Sequence, residues 1–406
     1  MALLRWLGAL ACCSALSLAA QQAPPTPAPS GQSATPAPSH PLILRSPEER
    51  ERAYQARHRI LLSVQVTDAS GKSVGGLGQE DFTLFDDGQA QKITSFRSAN
   101  GSEPDAPIRV VLMVDTINNP SASIAHEHKE LEKLLEQSQG RVAYPTAIAL
   151  LSAAGAEIGT FSRDGSAVIG ELRRVTKDVR TLSCVEEANA ASQQALGGQA
   201  SSVTPEGTDS IRTENLLNRI GNCENRRFQL SISALNKLAK SEAGVPGRTI
   251  LVWIGPGWSL LTGPAFRPNT PAMRRSFFDY LADMSTSLRE AHMTLDAVAS
   301  PDMVRAAGMR REDYPLFLSR APTGGEADAG HLSLPVLATQ TGGRVLEDSK
   351  DIAGAVAACI ADADAYYELS FDSPAAATAG EYRPLEVKVN KPGLSVRTRT
   401  AYFAQP

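Results

Sequence analysis

Cysteine is scarce, aromatic residues are few, charge is nearly balanced, and no long apolar run occurs after the first twenty residues. Each shortage excludes something. Five cysteines in 406 residues are too few for a disulfide-built scaffold. A formal net charge of −4 lacks the cationic excess that phosphate neutralisation requires, so nucleic acid is set aside as a partner. Without a second long apolar stretch, no transmembrane segment is expected in the mature chain. No Gly-x-Ser-x-Gly element, phosphate-binding loop or dinucleotide fingerprint occurs, which removes the sequence marks of several large enzyme classes.

What is present begins with an export signal. Met1–Ala20 carries Arg5, an apolar stretch from Trp6 to Leu18, and small residues suited to a signal peptidase at Ser17-Leu18-Ala19 or Leu18-Ala19-Ala20. Export is therefore expected, to the periplasm, the cell surface or the medium. Cys12 and Cys13 leave with the signal, so Cys184, Cys223 and Cys359 remain. An oxidising compartment favours one pair and one leftover. Cys184 and Cys223 bracket a polar insert and are the expected disulfide. Cys359 shares helical spacing with Ile352, Val356 and Ile360 and reads as a buried, inert thiol. Residues 21–58, rich in Pro, Ala and Ser, read as a disordered linker.

Residues 59–100 carry short alternating runs separated by turn residues. Leu62, Val64 and Val66 alternate, Asp68-Ala69-Ser70-Gly71 turns, Phe82 and Leu84 alternate, and Asp86-Asp87-Gly88 turns again. Asp81, Asp86 and Asp87 do not have the spacing of a calcium loop, and turn chemistry accounts for them. The tail, 365–406, has the same character, with Leu385, Val387 and Val389 alternating before Lys391-Pro392-Gly393. β segments at both ends predict one small sandwich built from N- and C-terminal strands.

Between them, 105–364 alternates strands with helices. Ile108–Asp115 is a Val-rich run with Arg109 near its start and an acid at its end, the pattern of a strand buried on both faces. Glu127, Leu131, Leu134 and Leu135 mark a helix. Thr146–Leu151 is a second buried strand. Glu157–Phe161 follows after a link too short for a crossover, so it must run antiparallel. Residues 176–224 read as an insert, partly helical, and Ile232, Leu235, Leu238 and Ala239 mark the helix after it. Thr249–Ile254 and Met293–Ala299 are further strands. The expected fold is α/β, with a doubly wound, mostly parallel sheet and a flanking β-sandwich.

Three pieces carry a family resemblance: Val64 to Phe96 with its Asp81-Phe82-Thr83-Leu84-Phe85-Asp86-Asp87-Gly88, Val110–Asp115 with the following helix, and Tyr366-Tyr367-Glu368-Leu369 through Tyr402-Phe403. Over residues 60–403 the chain resembles the von Willebrand factor A domain, and more closely the secreted von Willebrand factor A-related proteins of the acidobacterial type. The resemblance implies a Rossmann-type sheet with one antiparallel edge strand. It also implies a binding module whose metal-ion-dependent adhesion site holds a divalent cation through Asp-x-Ser-x-Ser, a Thr and a second Asp. Here Asp115 matches the first acid, but Ile117 and Asn119 stand where the serines belong, and Gly255-Pro256-Gly257 supplies no carboxylate. The site is degenerate: Asp115 and Asn119 are its remnant, no cofactor is expected, and Mg²⁺ or Ca²⁺ would bind weakly.

The expected function is an exported, non-enzymatic interaction module of adhesion type, binding a protein or cell-surface ligand. The proposed ligand rim is Asn118 with Trp258, Leu260 and Leu261, which lie between glycines and prolines after Ile254. The competing arrangement folds those apolar side chains under the loop. An exported hydrolase with catalytic groups in the inserts and a structural envelope component are the alternatives. Asp164, Asp296 and Asp302 show no spacing that pairs them as acid and base. His126-Glu127-His128 reads as solvated helix surface, because histidines two apart face different ways. The sequence does not fix the oligomeric state.

Overall fold

The computed structural model describes residues 58–99, 107–119, 121–138, 140–177, 208–258, 270–306, 314–319, 323–327, 329–347 and 350–406. The expected signal peptide, the linker up to residue 57, Cys184, Leu260 and Leu261 lie outside them. No described helix is long and apolar enough to cross a membrane.

The described residues open with four strands: β1 (Arg59–Thr67), β2 (Phe82–Asp86), β3 (Gln89–Gln91) and β4 (Ser95–Ala99). β2 and β3 are joined across Asp87 (φ 49°) and Gly88 (φ 75°), the left-handed pair that matches strand twist in a tight hairpin. Next come β5 (Ile108–Asp115), α1 (Ser121–Gln137), β6 (Arg141–Ser152), β7 (Gly155–Ile158), β8 (Ser162–Asp164) and α2 (Gly165–Thr176). The 35-residue α3 (Thr208–Glu242) follows. Then come β9 (Arg248–Ile254), α4 (Pro271–Glu290), β10 (Met293–Val298), α5 (Pro301–Ala306), α6 (Tyr314–Ser319), α7 (Leu334–Gln340), β11 (Val345–Leu346) and α8 (Ile352–Ile360). The tail forms β12 (Tyr366–Asp372), β13 (Glu381–Val389), β14 (Ser395–Arg397) and β15 (Ala401–Ala404).

The central sheet runs β11-β10-β9-β5-β6-β7. Its first four pairings are parallel, while β7 and β8 run antiparallel to β6. Strand β5 lies at its middle and alternates between two cores. Val111 and Met113 face Ile232, Leu235 and Leu238 of α3, Leu281 and Leu288 of α4, and Leu337 of α7. Val110, Leu112 and Val114 face Leu131 and Leu135 of α1, Val168 and Leu172 of α2, and Val356 and Cys359 of α8. Helices therefore cover both faces, as the doubly wound expectation requires, and Cys359 is a buried free thiol.

Two antiparallel sheets, β14-β1-β12-β4 and β15-β13-β2-β3, close over a third core of Ile60, Leu62, Val64, Phe82, Leu84, Tyr367, Leu369 and Leu385. Tyr366 of β12 pairs with Ala99 of β4, so the α/β domain is spliced into the sandwich between neighbouring strands. A charged cluster ties the two parts. Arg344 donates to both Asp362 carboxylate oxygens at 2.7 and 3.0 Å, Arg397 from β14 donates to the same group, and Gln65 of β1 donates to the Asp362 carbonyl.

The partly helical reading of 176–224 takes a definite form: α3 begins at Thr208 and runs without a break into the expected helix. Its buried stripe (Cys223, Arg227, Phe228, Ser231, Ile232, Leu235, Leu238) includes an arginine and a serine, which weakens the apolar signal on which periodicity depends.

Candidate functional site

Strand β5 ends in Asp115 at the carboxyl edge of the sheet, where open α/β folds place ligands. The side chain does not reach solvent; it is fully buried. Its Oδ1 accepts backbone N–H groups of Ile117 at 3.2 Å and Asn118 at 3.0 Å, which winds the chain into a tight turn directly after the strand. Its Oδ2 accepts from Asn118 Nδ2 at 2.7 Å and from the indole of Trp253, on β9, at 2.9 Å. Four donors thus surround one carboxylate.

Helix α3 supplies the countercharge. The Arg227 guanidinium donates through Nε to Asn118 Oδ1 at 3.0 Å and through Nη2 to the Asn118 carbonyl at 3.2 Å. Asn118 Nδ2 also reaches Ser231 Oγ at 3.0 Å. Helix α1 closes the other side. Asn119 Nδ2 donates to the Asp115 carbonyl at 2.9 Å and to Glu127 Oε1 at 2.7 Å. Among the described residues, Asn119 Oδ1 and Glu127 Oε2 are buried and meet no partner.

Burial pushes the Asp115 carboxyl up, and the Asn118 and Trp253 donors and the Arg227 charge pull it back. Glu127 is driven well above the ordinary glutamate range by burial and then by neighbouring Asp115, against only the Asn119 donor. The two carboxyl groups differ in donor set: Asp115 accepts from Asn118 and Trp253 beside the Arg227 charge, whereas Glu127 has only Asn119 and is pushed further toward its neutral form.

The loop after β9 makes room. Gly255 has φ 139°, and a Cβ there would stand 2.9 Å from Asp115 Cβ and 3.0 Å from Asn119 Nδ2, so the knot closes only against a glycine.

Of the expected rim, Asn118 and Trp258 are not displayed, as in the competing arrangement, while Leu260 and Leu261 lie outside the described residues. Asn118 and Asn119 are fully buried, and Trp258 is 1% exposed. The Trp258 indole donates to the Leu332 carbonyl at 3.0 Å, and its ring meets Trp253 edge-on at 5.5 Å and Phe228 at 6.4 Å. A tryptophan whose N–H finds an internal carbonyl is more stable folded under its loop than displayed. Glu127 corrects the solvated reading of 126–128: it lies on the Ile124–Leu131–Leu135 stripe, a spacing that already placed it inward, while His126 is exposed. Arg227 and Ser231 were missed because the insert reading started the helix too late.

Cys223 sits one turn before Arg227, is buried and is disulfide-bonded. Its expected partner, Cys184, lies outside the described residues, so the pairing remains an expectation. Among the described residues no group of three or more His, Cys, Asp or Glu side chains is arranged to hold a metal ion.

Beside the knot an apolar groove of about 240 Å³ is lined by Phe228, Gln229, Ser276, Phe277, Tyr280 and Leu332. Phe228 follows Arg227 in the chain, and its ring links the groove to Trp258.

No family model matches the sequence, and no curated protein matches it. Solved structures that match include the conserved hypothetical protein BatB from Bacteroides thetaiotaomicron, at 10% identity over 63% of this chain and 98% of that one, with a TM-score of 0.29. The human COPII-coat protein Sec24c matches at 8% identity over 76% of this chain and 46% of that one, TM-score 0.30. The pilus adhesin RrgA from Streptococcus pneumoniae matches at 9% identity over 55% of this chain and 29% of that one, TM-score 0.22. The chain spans less than half the length of the latter two. Similarity this low carries no argument about what the chain does.

Proposed function

We propose that this chain is an exported, non-enzymatic interaction module of the von Willebrand factor A type, in which a closed hydrogen-bond network around Asp115 stands where the family holds a cation. The observation that carries the reading is the saturation of Asp115. Its two carboxylate oxygens accept four protein donors, and the Arg227 guanidinium binds Asn118, which is bound to Asp115. A hard divalent cation needs six or more oxygen ligands with room for water or a partner's acid. Ile117 offers none, Gly255-Pro256-Gly257 offers no carboxylate, and Asp115 itself is sealed. The residues present do not fit the metal, so binding runs without it.

With the knot closed, the surface that the described residues offer to a partner at this end is the groove beside it. Four of its six lining side chains are aromatic or leucine, with Gln229 and Ser276 as polar edges. That chemistry suits an apolar segment of a protein ligand.

The reading is tested in two arms. Thermal unfolding of the protein with excess Mg²⁺, Mn²⁺ or Ca²⁺ should match unfolding with a chelator, because a cation that binds only the folded state must raise Tm. A saturable rise that disappears in Asp115→Ala overturns metal independence. A photo-crosslinking residue at Gln229 should give one discrete adduct with surface material of the source cell, absent from the same residue at exposed Lys129 and absent in Phe277→Asp. Adducts indifferent to position, or hydrolytic turnover abolished by Asp115→Ala, overturn the interaction reading.

A further inference from the structure

A second polar site lies far from the knot, where strand β1 of the sandwich meets the turn between α4 and β10. A small cavity of about 20 Å³ opens there, lined by Ser63, Arg289, His292, Thr294, Thr341 and Arg399 among others. None of its lining residues is acidic. Two of them are buried arginines: Arg399 is 6% exposed and the Arg289 side chain 9%. Among the described residues, Arg399 Nη1 and Arg289 Nε are buried and meet no acceptor. The ion pair of Arg289 at 3.3 Å uses its Nη2 and a Glu290 side chain that is 60% exposed.

Two like charges at one cavity, each with an unsatisfied N–H, are costly unless a negative group answers both. Deprotonation does not solve the problem, since a guanidinium keeps its proton in proteins. Burial, and then the neighbouring Arg289 charge, push Arg399 down to about 9. Thr294 Oγ1 already accepts from Arg248 at 3.2 and 3.3 Å, so its own proton remains for another acceptor. Exposed His292 forms the solvent edge. The space matches about one water-sized occupant.

We propose that this cavity is a binding site for a single monatomic anion of the halide class, held between Arg289 and Arg399 and bridging the sandwich to the α/β domain. Size selects the class: a tetrahedral oxyanion needs several times the room. The anion completes the joint from one side, as Asp362 does with Arg344 and Arg397 from the other.

The test is chloride binding by the full chain, read from ³⁵Cl NMR line broadening and from Tm at constant ionic strength with gluconate as the inert counterpart. The wild type should broaden the chloride line, bromide should reverse the broadening, and Tm should rise saturably by a few degrees with chloride. Arg399→Gln and Arg289→Gln should each lose both effects, while Arg399→Lys, which keeps a cation, should retain part of the broadening. Broadening unchanged in both Gln variants overturns the site. Competition by inorganic phosphate but not by bromide overturns the monatomic assignment. If Arg399→Gln does not fold, Arg289→Gln and Arg399→Lys decide the matter alone.

Discussion

The knot around Asp115 and the cluster around Asp362 both bury a carboxylate against arginine, but they are built on opposite plans. Asp362 is bonded directly to two guanidinia, one from Arg344 and one from Arg397. Asp115 touches no arginine; it is bonded to amides and an indole, and Arg227 acts through Asn118. The first plan clamps two structural layers together, and its strength is Coulombic. The second shapes a loop, and its strength is spread over many neutral donors. Direct pairing serves attachment, whereas indirect pairing holds a backbone turn at the end of a strand in one conformation.

The sharpest way to break this contrast is Asp362→Ala. It strands two partly buried guanidinia and should cost about 3–5 kcal/mol in chemical denaturation. Asp115→Ala leaves an indole, an amide and two backbone N–H groups unpaired and should cost about 3 kcal/mol. A loss above that of Asp362→Ala would reverse the ranking and refute the distributed plan. Trp253→Phe removes a single neutral donor and should cost about 1–2 kcal/mol by the same measurement.

Two further variants sharpen the comparison through pH. Asp296, beside the Asp362 cluster, is pushed up to about 6, mainly by burial and against the Arg344 N–H that it accepts. A raised folded value means its contribution is full below the ordinary 3.8 and is lost as pH rises through about 6. Asp296→Asn should therefore gain on the wild type between pH 4 and pH 7. Glu127 is also raised, so Glu127→Gln should gain on the wild type as pH climbs above the ordinary 4.5. Equal denaturation midpoint differences at pH 4 and pH 8 would remove the protonated Glu127 from the account.

The sequence made the frame legible. The Val-rich run of β5, the stripes of α1 and of the second half of α3, and the alternation of β1, β2 and β13 each repeat with the period of their element, and burial follows that period. The antiparallel turn-back at Gly155 was legible from link length alone. The knot was not, because its parts are far apart in the chain: Arg227 meets Asn118 across 109 positions. A polar residue on an apolar stripe reads as an error or as surface until its partner is known. Glu127 was hidden by its histidine neighbours, and Trp258 by a carbonyl at Leu332 that no local pattern announces.

The splice of the α/β domain between β4 and β12 has a mechanical consequence. Arg59 pairs with Asp372, and β15 pairs with β13, so tension applied at Arg59 and Ala404 runs through the two small sheets and their shared core. The inserted domain joins the sandwich at the adjacent ends of β4 and β12 and is held to it by the Asp362 cluster and by Phe403 of β15. Force carried by the two small sheets therefore reaches the α/β domain through these side-chain contacts as well as through the chain itself.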